Sequence, residues 1–517
     1  MAMIPYKDCS LGYFPDIMPE EVSAGAWSAC TNMRFRGGFA ERFRGMSNVF
    51  GTPSAAPYWI TPYASMNIRY WVTGCLAKLY AYDGTAQYDI TPTPAPTGAI
   101  DNRYTGGAFN GVLIVNNSID VPWQWGGATG SPAVALTAWD STWRAYSIRP
   151  FKNFLVAVGI RKGANVFPHM VKWSNPAVPG SVPSSWDETN PANDAGEVDL
   201  AETADTMVDS LPMGDQLIIY KQRSMYSMRF VGGQDIFAFQ RLPGEVGMLA
   251  PGCAVDTPIG HVVLTNGDVV VHQGGPAASI CDGSIRKFIF NTMNSILSNR
   301  SFVVSNPQKA EVLICFPSAD ATACDTAAVY NWISKTWGIR SLVNCTYGAA
   351  GQINADSTIL QWDSDPDAWD TDATAWNENE YAANEARVLF SRTTNISAFD
   401  IGTTDFGGTI SSKLERSGDP MESLGGAYKI KTIRGIRPII DAPAGTVITV
   451  TFGGAMEATD SVSWGDPISF IVGDRDHGVK ADGFASGRFL AYKFEGNGYE
   501  PWRLRSFGID AVATGDY

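Results

Sequence analysis

Short apolar runs that recur along most of the chain constrain it more than any other feature. They are Tyr70-Trp-Val-Thr-Gly74, Val112-Leu-Ile-Val-Asn116, Leu155-Val-Ala-Val-Gly159, Leu217-Ile-Ile-Tyr220, Val262-Val-Leu-Thr265 and Val312-Leu-Ile-Cys-Phe316. Their starts lie 42 to 62 residues apart. Each run is too short for a helix, is rich in β-branched and aromatic residues, and is bounded by Gly, Asn, Asp or Pro, so each reads as a strand. Turn signals follow several of them, at Tyr82-Asp-Gly84, Arg161-Lys-Gly163 and Thr265-Asn-Gly-Asp268. The last predicts a tight hairpin between Val262–Leu264 and Val269–Val271, with Asn-Gly supplying the positive-φ pair.

A unit of about four strands repeated at this spacing is the pattern of propeller blades. Six units are countable, and Thr358-Ile-Leu-Gln-Trp362 supplies a seventh blade or a closing strand. The fold class is therefore all-β: a β-propeller-like body of six or seven blades over residues 51–390. An array of β-sandwiches is the competing architecture. Beyond 390 the strands lengthen and alternate apolar with polar, as in Lys429–Arg434, Thr446–Phe452 and Arg488–Phe494. That alternation marks a half-buried antiparallel sheet, so 391–517 is expected to form a C-terminal β-sandwich. Residues 1–50 show neither period and read as an irregular N-terminal segment carrying an interface strand.

The 52 Gly and 30 Pro are dispersed as turn punctuation. The net charge of −14 argues against a surface that grips nucleic acid, since phosphate neutralisation needs an excess of Lys and Arg. Eight cysteines without a CxxC pair, and four scattered histidines, lack the clustering of a metal centre and read as reduced, core-filling residues. The opening Met1–Ser10 has no basic and apolar leader, and no apolar run is long enough to span a bilayer, so neither export nor membrane insertion is expected.

Three stretches resemble one family. They are Pro15-Asp-Ile with Ala24–Arg34 and Gly38–Gly45, then Met225–Met228 through Gly232–Phe237, Gly244–Gly247 and Asn266–Val269, and finally Pro501–Asp510. Together they are similar to the tail nozzle proteins of short-tailed bacteriophages, also called tail tubular or packaged-DNA stabilisation proteins. The resemblance implies a structural virion protein, assembled in the host cytoplasm, without cofactor and not an enzyme. It implies a homo-hexameric ring below the head-to-tail adaptor protein, double-stranded DNA retained in and ejected through the lumen, and tail fibre or spike proteins outside.

Two local patterns are candidate sites. Arg34, Arg36, Arg42 and Arg44 interleave with Phe35, Phe39 and Phe43, as in the core of a protein interface; a neighbouring subunit or the adaptor is the expected partner, ahead of DNA. Asp363, Asp365 and Asp367 have the one-three-five spacing of a calcium loop, but Ala368 stands where glycine is needed and Thr374 where glutamate is, so the loop is a weak cation site. No nucleophile elbow, P-loop or HExxH occurs. The alternative function is a carbohydrate-binding or hydrolysing propeller for receptor recognition. It would use paired carboxylates and a ridge drawn from Trp123, Trp125, Trp139, Trp143, Trp173 and Trp186. Packing between blades is the competing role for those tryptophans, and a structural role for His261 and His272.

Overall fold

The computed structural model describes residues 3–65, 68–233, 235–352, 386–474 and 479–516. Five separate four-stranded antiparallel sheets follow one another, over 59–89, 105–135, 143–199, 207–241 and 254–279. A sixth unit comprises Phe302–Asn306, Glu311–Phe316, Cys324–Asn331 and the first part of the long strand Thr336–Gln352. The last part of that strand opens a seventh unit with Ala386–Arg392, Ile396–Phe399 and, from the other end of the chain, Met46–Val49. The first strands of successive units touch in order, and Thr336–Gln352 returns to Trp59–Ser65. The body is an all-β, propeller-like ring of seven four-stranded blades.

All six recurrent apolar runs lie in the second strand of their blades, which is covered on both faces. Leu113, Leu155, Leu217, Val262 and Leu313 are fully buried there. The equivalent strand of blade 7 contains Val388, Leu389 and Phe390, at the end of the expected propeller span, and the blade's next strand, Ile396–Phe399, lies beyond 390 in the span expected of the sandwich. Thr358–Trp362 falls outside the described residues. The insertion between 352 and 386 breaks the spacing, so the seventh repeat escapes a search by period. Apolar cores fill the seams between blades: Trp123 and Trp125 with Tyr63 and Tyr70, Trp139 and Trp186 with Ile148 and Ile160, Trp173 with Phe154 and Phe237. Burying each such side chain contributes about 1.5–3 kcal/mol.

The hairpin at Thr265–Asp268 forms, pairing Leu264 with Val269, but not by the expected turn. Neither Asn266 nor Gly267 has positive φ. Instead the Thr265 hydroxyl accepts the amide protons of Gly267 at 3.3 Å and Asp268 at 2.9 Å, closing a longer loop.

The second unit is a sandwich. One sheet runs through Met33–Arg36, Phe39–Arg42, Arg503–Asp516, Lys429–Asp441 and Ala481–Gly487, with Met3–Tyr6 beside Arg503–Asp516. The other runs through Ala29–Thr31, Ser412–Asp419, Phe489–Gly496 and Val447–Ala455. Trp27, Tyr492, Phe494, Trp502 and Phe507 fill the space between them. Residues 1–50 are therefore not an irregular segment. They supply four strands to the sandwich and the outermost strand of blade 7. Apart from the hairpin between Met33–Arg36 and Phe39–Arg42, their pairing partners lie hundreds of positions away, so no local periodicity announces them. Among the described residues no helix is long and apolar enough to cross a membrane.

Candidate functional site

The arginine-rich hairpin pairs Arg34 with Glu41 and Arg36 with Phe39. Gly37 and Gly38 turn it at φ 59° and 88°. One edge meets the propeller through Met33 and Ile339, and the other meets the sandwich through Glu41 and Arg503. It is the splice between the two units.

Its charges point inward. Arg34 is 3% exposed, lies over the Phe43 ring at 4.1 Å, and is shared by Asp400 and Glu311, the latter at 3.5 Å. Against burial, which would raise it, the Arg34 charge and hydrogen bond hold Asp400 below the usual carboxylate range. Glu311 has the longer contact, so burial pushes it up to about 7 despite Arg34. Arg42 is 1% exposed and donates to the carbonyls of Gly498, Tyr499 and Thr403 at 3.0, 2.7 and 2.9 Å. Burial, with Arg340 nearby, lowers its pKa to about 10. Arg36 and Arg503 clasp Glu41 at 2.9 and 3.1 Å.

This corrects the expected role of the cluster. Arg34, Phe35, Arg42 and Phe43 are buried within the chain, so an outside partner cannot reach them. Arg36, Phe39 and Arg44 are half-buried at the rim. A groove of about 370 Å³ runs beside the splice, with Glu41, Arg44, Asp441, Pro501, Trp502 and Arg503 among its walls. The Asp363, Asp365 and Asp367 loop lies outside the described residues.

A second polar network joins the first strands of the blades. Arg149 of blade 3 makes a two-point ion pair with Asp209 of blade 4, at 2.9 and 2.6 Å, and donates to the Gly106 carbonyl of blade 2 at 3.0 Å. The Gly252 amide, before blade 5, also donates to Asp209, at 3.3 Å. Burial would raise Asp209, yet Arg149 holds it below the carboxylate range.

His261 and His272 are paired across adjacent strands of blade 5. The Gly274 amide donates to His272 Nδ1 at 3.2 Å, so Nε2 carries the proton and donates to Tyr220 Oη at 2.8 Å. The Tyr220 hydroxyl donates to His261 Nδ1 at 2.7 Å, and His261 Nε2 donates to the Pro212 carbonyl at 2.9 Å. This chain of neutral groups ties blade 4 to blade 5.

Glu311, Asp400, Asp209 and Arg149 are not singled out by the sequence, and Tyr220 enters it only as the end of an apolar run. A carboxylate heading a fully apolar run, as Glu311 does before Val312–Phe316, is the one local signal that could have found any of them.

No family model matches this chain, and no curated protein matches it. Among solved structures the chain is similar to the AfRom2 CNH domain, at 7% identity and a TM-score of 0.36, over 68% of this chain and 98% of that one.

Proposed function

We propose that this chain is a structural subunit of a short-tailed phage tail: a nozzle ring below the head-to-tail adaptor that retains packaged DNA and conducts it at ejection. The observation that carries the reading is the splice. The two terminal stretches that resemble the nozzle family, 15–45 and 501–510, meet in one sandwich, where Glu41 pairs with Arg503. That sandwich is continuous in hydrogen bonding with the propeller. A body fastened through buried ion pairs and shared strands suits a load-bearing conduit wall. The net charge of −14 keeps a passing duplex from adhering. Fibre or spike proteins would dock outside.

The sugar-binding alternative calls for an exposed aromatic ridge. Trp123, Trp125, Trp139, Trp173 and Trp186 are instead buried between blades, and Trp143 packs with them. Cryo-electron microscopy of the virion that carries this chain tests the proposal. A ring around the tail axis is expected. Finding single copies at the periphery, with no axial ring, would overturn it.

A further inference from the structure

Several arginines of this chain are buried, and most are satisfied in one of two ways. Arg34 and Arg149 face carboxylates, and Arg340 faces Asp405. Arg42 and Arg416 are caged by close carbonyls, as with Arg416 against Ser417 and Val22 at 2.6 Å. Arg103 fits neither pattern. It is 9% exposed and has no carboxylate within ion-pair distance among the described residues, while its Nε, like those of Arg34, Arg42, Arg340 and Arg416, has no acceptor. Its three hydrogen bonds are long: 3.3 Å to the Thr346 carbonyl, 3.2 Å to Arg300 and 3.1 Å to Ser301. A buried guanidinium held only by weak neutral contacts is costly unless an anion compensates it.

Arg103 lines a cavity of about 70 Å³ together with Arg300, Tyr58, Thr322, Thr346 and Thr393. These residues come from blades 1, 6 and 7 and from the loop entering blade 2, around the point where the ring closes. Arg300 holds Asp101 at 2.7 and 3.2 Å and donates to the Thr322 carbonyl at 2.7 Å, so the two opposite charges offset each other and Arg103 carries the uncompensated one. Cys345 also lines the cavity, and burial pushes its thiol up to about 12, so it supplies no competing negative charge.

We infer that this cavity is a binding site for one small oxyanion of the phosphate or sulfate class, held by Arg103, with the Arg300–Asp101 pair at its rim, and stapling blades 6, 7 and 1 to the loop before blade 2. Planar guanidinium groups match oxyanion geometry better than that of a spherical halide. One water needs about 10–15 Å³ of such space, so the cavity holds one oxyanion with little else, and no nucleotide or sugar. The site does not depend on the role proposed above.

The test is a titration of the full chain with inorganic phosphate in a chloride buffer, followed by ³¹P line broadening. Saturable binding below about 10 mM is expected, with displacement by sulfate and a rise in melting temperature as the site fills. Arg103→Gln should weaken binding at least about tenfold, and Arg300→Gln should weaken it as well. The remote Arg286→Gln should leave it unchanged. A short oligonucleotide should not compete; competition by it would transfer the site to a nucleic-acid phosphodiester and overturn the free-ion assignment. Absence of saturable broadening in the unaltered chain overturns the inference. So does undiminished binding in a folded Arg103→Gln chain. If that variant does not fold, undiminished binding by Arg300→Gln overturns it instead.

Discussion

Among the described residues Arg34 serves two carboxylates that have no other cation as close, so it should be among the least replaceable residues of the chain. Arg34→Ala strands Asp400 and Glu311 in the interior and is expected to cost about 3–5 kcal/mol, read as a lower urea midpoint. Neutralising both acids in the same chain, with Asp400→Asn and Glu311→Gln, should recover most of that loss. The two histidines give a pH-dependent counterpart. Burial lowers both, His272 to about 4, with His261 beside it as a second cause. Asp256, 3.8 Å from His261 Nε2, opposes the shift from the exposed side. A histidine lowered by folding stabilises fully above its ordinary value of about 6.5, and that contribution is lost as pH falls towards 4. The stability difference between the native chain and His272→Gln should therefore narrow by about 3 kcal/mol between pH 7 and pH 4. A difference independent of pH would show that His272 is not held neutral. Comparing the two chains removes the opposite contribution of Glu311, which gains stability as it protonates below about 7.

Blade 7 is the element on which ring closure rests, because its strands come from both ends of the chain. Met46–Val49 pairs with Ile396–Phe399, and Met46 and Phe43 pack with Phe390 and Phe399. Deleting residues 1–50 removes that outer strand and four strands of the sandwich together. The expected product is an aggregated or unfolded chain rather than a free propeller. Far-ultraviolet circular dichroism and gel filtration of the truncated chain check this. A soluble, β-rich monomer would mean that six and three-quarter blades suffice. The stretch between 352 and 386 separates the strands of this blade along the sequence, which carries its third strand, Ile396–Phe399, past 390 and into the span expected of the sandwich.

At the scale of the whole molecule, the splice predicts one cooperative unfolding transition for propeller and sandwich together. The shared sheet and the buried ion pairs give neither unit a complete surface of its own. Calorimetry resolving two independent transitions would contradict this. Charge acts at the same scale. With 52 acidic against 38 basic residues, and several arginines consumed internally, the isolated chain should bind double-stranded DNA at most weakly. Whatever binding exists should fall steeply with salt. Submicromolar binding that survives raised salt, measured by anisotropy, would oppose the proposed sliding wall.

The sequence by itself determined the all-β class, the second strand of six blades and the change of texture towards the sandwich. Those features are written in neighbouring residues: Leu155 to Val158 is apolar because a strand covered on both faces must be. What only the tertiary structure decided is where distant segments meet. The interleaving of Arg34, Phe35, Arg42 and Phe43 is legible as an interface, but whether its partner is another chain or Asp400, 366 positions away, is not. The same holds for Tyr220 with His272 and for Arg103 at the closure of the ring. A buried charge or hydrogen-bond donor is specified by what surrounds it in space, and strand pairing across hundreds of residues leaves no periodic trace along the chain.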